Sequence, residues 1–339
     1  MHSLWFDYHL PVIWALLLSV VVLLYVVLDG FDLGMGILFP WVKDEEQRDR
    51  MMNSIAPFWD GNETWLVLAG GSLWIAFPKA YAIILPALYL PILIMFMGLI
   101  CRGVSFEFRF ISKPKQKKWD FAFSAGSIVA AFCQGVVLGT VIHGIEVVDG
   151  KFAGGPLDWA HPFALMCGLG VVAGYALLGA FWLMLRTDGA LRLRAKQLAM
   201  PALIILFAFL LGAAIWTPLA VPSINTRWFD SAALNYIWVL PLLVLALVWW
   251  AFSAIKKGRG GQGFAATVFI FIFSFVGIAV SIFPYLVPPA LTLWEASISP
   301  ESQLFMLLGV MPLVPLILAY TAFIYWTFRG KVKTGDTYY

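Results

Sequence analysis

The sequence predicts an all-α integral membrane protein with about nine transmembrane helices. Composition comes first. The 339-residue chain is 62% hydrophobic and 12% charged, with a mean hydropathy of +0.88, whereas soluble domains carry about 25% charged residues. Apolar runs then recur at the roughly 20-residue length that a bilayer core demands. Finally, cations concentrate in alternate loops, as they do in polytopic membrane proteins. Length alone would allow two soluble domains, but the apolar runs point to a single membrane unit spanning 1–339. A net charge of +3, dispersed into loops, leaves no basic domain for nucleic acid.

In order, the expected spans are 10–38, 55–77, 80–102, 120–143, 163–186, 200–221, 236–255, 264–284 and 303–328. Backbone groups in lipid must be bonded internally, and runs this continuous exclude the alternation of barrel strands. No Lys or Arg precedes Lys43, so the first run is expected to remain as a helix rather than serve as a cleaved leader. Sixteen Trp and 28 Phe suit lipid-facing and interfacial packing. Cys101, Cys133 and Cys167 lie in apolar stretches without metal or redox spacing and read as small buried hydrophobes.

The loops fix an orientation. Cations occupy 41–54 (Lys43, Arg48, Arg50), 103–119 (Arg109, Lys113, Lys115, Lys117, Lys118), 187–199 (Arg192, Arg194, Lys196), 256–259 (Lys256, Lys257, Arg259) and the tail (Arg329, Lys331, Lys333). The intervening loops hold only Lys79, Lys151 and Arg227, with none in 285–302. The positive-inside rule then puts the N-terminus outside and the C-terminus in the cytoplasm, which requires an odd number of spans. The loops are short, so any chemistry sits among the helices or in a partner.

Charged groups within spans are costly unless paired or hydrated, so they mark function. Asp29 and Asp32 lie three residues apart on one face of the first span, and Asp29 falls roughly 28 Å beyond Leu10 at 1.5 Å per residue. Gly30, Gly34 and Gly36 keep that stretch slim for a close neighbour. Pro57-Phe58-Trp59-Asp60-Gly61-Asn62-Glu63 opens the second span, with Pro57 expected in its first turn and Asp60 and Glu63 on one face. Arg102 closes the third span, followed by Glu107 and Arg109. All of these reach the inner side. Two compatible roles follow: an ion-pair network in which Arg102 neutralises carboxylates, and a proton path from the cytoplasm. A carboxylate held by Arg102 stays ionised, so an unpaired member, Asp60, is the better relay.

The four histidines, His2, His9, His143 and His161, show no ligand spacing on a shared helix, and His9, His143 and His161, at span ends, fall near the outer face. No metal or haem site is expected in this chain. Glu295, in the outer loop after Phe283-Pro284-Tyr285-Leu286-Val287-Pro288-Pro289, is expected to help shape a compact cap.

The runs LDGFDLGMG (28–36) and NSIAPFWDGNETWLVLAGG (53–71), followed in order by RGVSFEFR (102–109) and FPYLVPPALTLWEAS (283–297), resemble subunit II of the cytochrome bd-type quinol oxidases, over essentially the whole chain. That resemblance implies two four-helix bundles plus one peripheral helix, in the bacterial inner membrane. It implies a haem-bearing subunit I as partner, holding haem b and haem d, and in some assemblies a small single-helix accessory subunit. The complex would oxidise quinol, reduce dioxygen to water and draw its protons from the cytoplasm; some members also hold a structural quinone in this subunit. By resemblance, Asp60 matches a carboxylate assigned to proton access, with Glu63, Asp29 and Asp32 on the same path. Arg102, Trp59 and Glu107 are structural or ion-pairing positions. FEFR replaces the family's FDYR-like segment and ALTLWEA its SLTMWDA-like segment, and the motifs lean towards the cyanide-insensitive branch. The competing classes are a secondary transporter binding a cation at the inner carboxylates and a purely structural assembly partner.

Overall fold

The computed structural model describes residues 2–112, 116–229, 238–333 and 335, with side chains from residue 6 onward. Lys113 and Lys115 of the cationic loop, 230–235 of the loop before the seventh span, and that span's first two positions lie outside the described residues.

The elements are α1 (His2–Leu38), α2 (Glu45–Asn53), α3 (Trp59–Ala76), α4 (Pro78–Ile111) and α5 (Gln116–His143), followed by the β1 (Val147–Val148) and β2 (Lys151–Phe152) hairpin. Then come α6 (Pro162–Arg186), α7 (Gly189–Ala220), α8 (Pro222–Phe229), α9 (Val239–Lys257) and α10 (Gly260–Ile282). A second hairpin, β3 (Tyr285–Val287) with β4 (Leu291–Thr292), leads into the single turn α11 (Leu293–Ala296) and the last helix, α12 (Pro300–Thr327). Among the described residues, eight helices are long and apolar enough to cross a membrane. The chain is an all-α membrane protein. The expected second span corresponds to α3, an 18-residue helix with Asp60 in its first turn.

Local chemistry sets the ends. Asp44 caps α2 by accepting from the Gln47 amide at 2.9 Å, and Glu45, Glu46 and Arg50 suit the helix dipole. Gly258 ends α9 in the left-handed region at φ 65°. In α11, Thr292 and Glu295 form a reciprocal capping box. Leu88 has non-helical angles (φ −117°, ψ 15°), three residues before Pro91, whose ring removes a helical donor.

Several boundaries differ from expectation. The third span continues as helix nine residues beyond Arg102, because Ser105, Phe106 and Arg109 are buried on the same face. Arg192, Arg194 and Lys196 belong to the first turns of α7 rather than to a loop. Pro57 is not in the first turn of its helix. It sits in the turns joining α2 to α3, where Phe58 and Trp59 both donate to the Ile55 carbonyl.

Helices α1, α3, α4 and α5 pack as one group, and α6, α7, α9 and α10 as a second, joined where α1 and α5 lie along α6. The seam is tight. A Cβ at Gly34 of α1 would stand 2.1 Å from the Tyr175 carbonyl oxygen of α6, with Gly179 as its other neighbour. Helix α12 is peripheral: Phe305, Leu308, Met311, Leu316 and Phe323 are exposed. It is fastened at one end by Gln303, whose carbonyl accepts from Trp14 Nε1 at 3.1 Å, and at the other by Tyr325 stacked on Phe58 at 4.5 Å. The tail returns over the α2 end, where the Val332 amide donates to the Arg186 carbonyl at 2.9 Å.

Candidate functional site

Helices α1, α3 and α4 bring the expected residues together at the α2 end. Asp29 and Arg102 each lie nine residues before the end of their helices, so they meet at one depth. Arg102 Nη1 donates to Asp29 Oδ1 at 2.6 Å, and Nη2 pairs with Glu63. The guanidinium is fully buried and the Glu63 side chain 27% exposed. Trp59 lies parallel to Phe106 at 5.0 Å and presents its ring to the Arg102 guanidinium at 5.9 Å, forming an aromatic wall.

Asp32 is also buried, but the ion pairs go to its neighbours. Its Oδ2 accepts from Asn62 Nδ2 at 2.6 Å, and Asn62 Oδ1 accepts from the Tyr325 hydroxyl at 3.1 Å. Asn62, within the WDGNE run, thus bridges Asp32 and α12, a role that its place in the sequence does not signal. Asp60 is exposed at the start of α3 and makes no hydrogen bond or ion pair through its side chain among the described residues. Around one cation, then, carboxyls run from exposed (Asp60), through half-buried (Glu63), to buried (Asp29, Asp32).

Glu107 does not take the ion-pairing role expected of it. It is exposed, and no described residue pairs with it. The helical phase explains the difference: Arg109 lies two turns beyond Arg102 on the buried face, whereas Glu107 points away. Arg109 binds Asp120 of α5 at 2.6 Å and pairs with Asp49 of α2, while Arg48 reaches the same Asp120 at 2.7 Å. Phe39 lies beneath both guanidiniums, at 5.2 and 5.5 Å. This second network fixes α2 across α4 and α5, and with it the turn that leads into Trp59 and Asp60.

Residues 10–328 match the family described as cytochrome bd terminal oxidase subunit II. The chain belongs to that family. It is 31% identical to the cytochrome bd-I ubiquinol oxidase subunit 2 of Escherichia coli, covering 97% of each chain. The probable cytochrome oxidase subunit 2 of Haemophilus influenzae is also 31% identical over 97% of each, and the cytochrome bd ubiquinol oxidase subunit 2 of Bacillus subtilis is 29% identical over 95% and 96%. A chain in the structure of bd oxidase from Geobacillus thermodenitrificans shares the fold, with a TM-score of 0.69 at 19% identity over 94% of this chain and 99% of that one.

In this bd oxidase subunit II, His143 and His161 lie at the far, hairpin end with tilted rings, centroids 4.1 Å apart. His161 Nδ1 accepts from the Ala164 amide at 3.3 Å as the cap of α6, so that nitrogen is already in use. Burial, and next the neighbouring His143, push its imidazole down to about 4. Among the described residues no three His, Cys, Asp or Glu side chains gather to hold a metal.

Proposed function

We propose that this chain is the non-haem subunit of a quinol-oxidising, dioxygen-reducing bd-type oxidase. In that role it braces a haem-bearing subunit I and admits protons from the cytoplasm. Both helix groups act as one membrane domain, with the N-terminus outside and the α2 end facing the cytoplasm, in keeping with the loop cations. The observation that carries the proton role is the graded burial of carboxyls around Arg102.

Asp60 takes protons from bulk water and passes them to Glu63, one helical turn further along α3. Glu63 gives access to the buried level of Asp29 and Asp32. Arg102 keeps the cluster from accumulating negative charge, and Trp59 with Phe106 keeps it dry on one side. A secondary transporter would place such acids beside broken helices near mid-membrane. Here α1 and α4 run unbroken through Asp29 and Arg102, and the bend at Leu88 is about four turns away.

The test is isolation of the chain from its native membrane in mild detergent. Expected is a haem-containing partner with the visible spectrum of b- and d-type haems and quinol-dependent oxygen consumption. A chain recovered without haem protein and without that activity contradicts the proposal.

A further inference from the structure

The two groups of helices treat their cations differently at the α2 end. In the first group both buried guanidiniums meet carboxylates: Arg102 meets Asp29 and Glu63, and Arg109 meets Asp49 and Asp120. Lys331 of the tail pairs with Asp188. At the end of α9 that pattern stops. Lys196 of α7 and Lys256 and Lys257 of α9 have no carboxylate partner among the described residues. Arg192 of α7 comes within 3.7 Å of Asp188, which Lys331 already holds at 2.6 Å.

Backbone carbonyls gather these cations. Arg192 Nη2 donates to the Gly258 carbonyl at 2.9 Å, and Lys196 Nζ, one turn along α7, donates to the Lys256 carbonyl at 3.2 Å. With Lys256 and Lys257 themselves, the cations of two helices surround one helix end. A helix C-terminus offers only about half a negative charge, so a positive excess remains. Each ammonium has three donors, and Lys196 uses one of its three on the carbonyl. Below the cations the same helix continues as an apolar strip. Leu245, Trp249, Phe252 and Lys256 follow at helical spacing on one face of α9. Lys256 Nζ lies over the Phe252 ring at 5.6 Å, and Trp249 stacks on Phe252 at 5.5 Å. Trp249 and Leu245 are exposed. From Leu245 to Lys256 the strip runs roughly 16 Å, close to the depth of one leaflet's hydrocarbon, about 15 Å.

We propose that the adjoining ends of α7 and α9 bind an anionic phospholipid, with its phosphate among Lys196, Lys256 and Lys257 and an acyl chain along Phe252, Trp249 and Leu245. Charge complementarity and the strip together choose the occupant. A free phosphate would satisfy the cations and leave the strip bare. A neutral phospholipid would cover the strip but bring its own cation to the headgroup. Topology alone asks for positive charge in the loops on one side, not for two helices whose cations meet at the head of one exposed apolar face. In the orientation proposed above, this lipid belongs to the cytoplasmic leaflet. The site stands apart from the carboxyl cluster of the first group.

Lipid retention by the assembled oxidase tests this, counted by native mass spectrometry after a detergent wash and incubation with phosphatidylglycerol or phosphatidylcholine of the same chains. Wild type should retain phosphatidylglycerol in preference, and inorganic phosphate should not displace it. Lys196→Gln combined with Lys256→Gln should lower that retention by roughly thirtyfold, the attraction of two interfacial lysines. Lys196→Arg combined with Lys256→Arg keeps the charge and should retain the lipid. Lys117→Gln combined with Lys118→Gln, at the exposed start of α5, should leave retention as it was. Trp249→Ala should weaken it with every cation in place. Equal retention of the two lipids, as a strip covered by another subunit would give, overturns the proposal. An equal loss in the two glutamine pairs does so too, because it marks general surface charge. Displacement by phosphate, which marks a site for a free anion, or unchanged retention in Trp249→Ala, overturns it as well.

Discussion

The two groups of helices share a chain and a packing style but not a chemistry. The first, α1, α3, α4 and α5, buries Asp29, Asp32, Arg102, Arg109 and Asp120. The second, α6, α7, α9 and α10, contains no Asp or Glu at all; its cations sit in terminal turns. Apart from Arg186, buried at the end of α6, and cations of α7 that donate to carbonyls at the end of α9, its contacts are apolar and close, as where Gly263 of α10 leaves room for the Phe181 ring of α6. The lesson is that a bilayer-spanning bundle needs only small-residue seams and aromatic filling to cohere. Buried charge in the first group is therefore an addition with a purpose, because stability alone does not call for it.

The largest test of that contrast is Arg102→Leu. It leaves Asp29 and Glu63 without their cation, a loss of about 3–5 kcal/mol for a broken buried pair. The expected outcome is failure to accumulate assembled oxidase, read as haem content per membrane protein. Normal accumulation would mean the cluster is not held as an ion pair.

Next come the seams. Gly34→Ala presses a methyl into the α6 backbone, and Gly263→Ala presses one into Phe181. Each should cost about 1–3 kcal/mol as overpacking. Both should lower the Tm of the complex while leaving the pH profile of turnover in place. A shifted profile in Gly263→Ala would break the division between a chemical and a packing bundle.

The smallest effect belongs to the outer cap. Hydrogen bonds from the Thr292 backbone and hydroxyl hold the Glu295 carboxyl below its ordinary range. A carboxylate depressed on folding stabilises above its unfolded range, and that contribution fades as pH falls through the folded value. Wild-type protein should therefore lose a little Tm on acidification that Glu295→Gln does not lose. Equal acid sensitivity in both would show that the box contributes nothing measurable.

Much of this was legible in the sequence. Apolar runs gave the all-α membrane class and eight long apolar helices among the described residues, and carboxyls and arginine at similar depth gave the core of the site, since a charge in a span stands out against its background. Less legible was the helical phase beyond Arg102. With α4 read as ending there, Glu107 looked as eligible as Arg109, and only the continued helix puts Arg109 inside. Tyr325 left no signal, because a single neutral polar residue in a separate span is ordinary and its meeting with Asn62, 263 residues away, is purely tertiary.

The central claim is that protons reach the cluster through Asp60, the exposed and unpaired carboxyl of the gradient. Asp60→Asn in an otherwise intact, haem-loaded oxidase tests it most directly, by quinol-dependent oxygen consumption across pH. The expected result is turnover lowered by roughly a hundredfold, the low end of the effect of losing a positioned proton-transfer group, with haem content and Tm unchanged. Turnover equal to wild type at every pH would contradict it and reduce Asp60 to a structural acid.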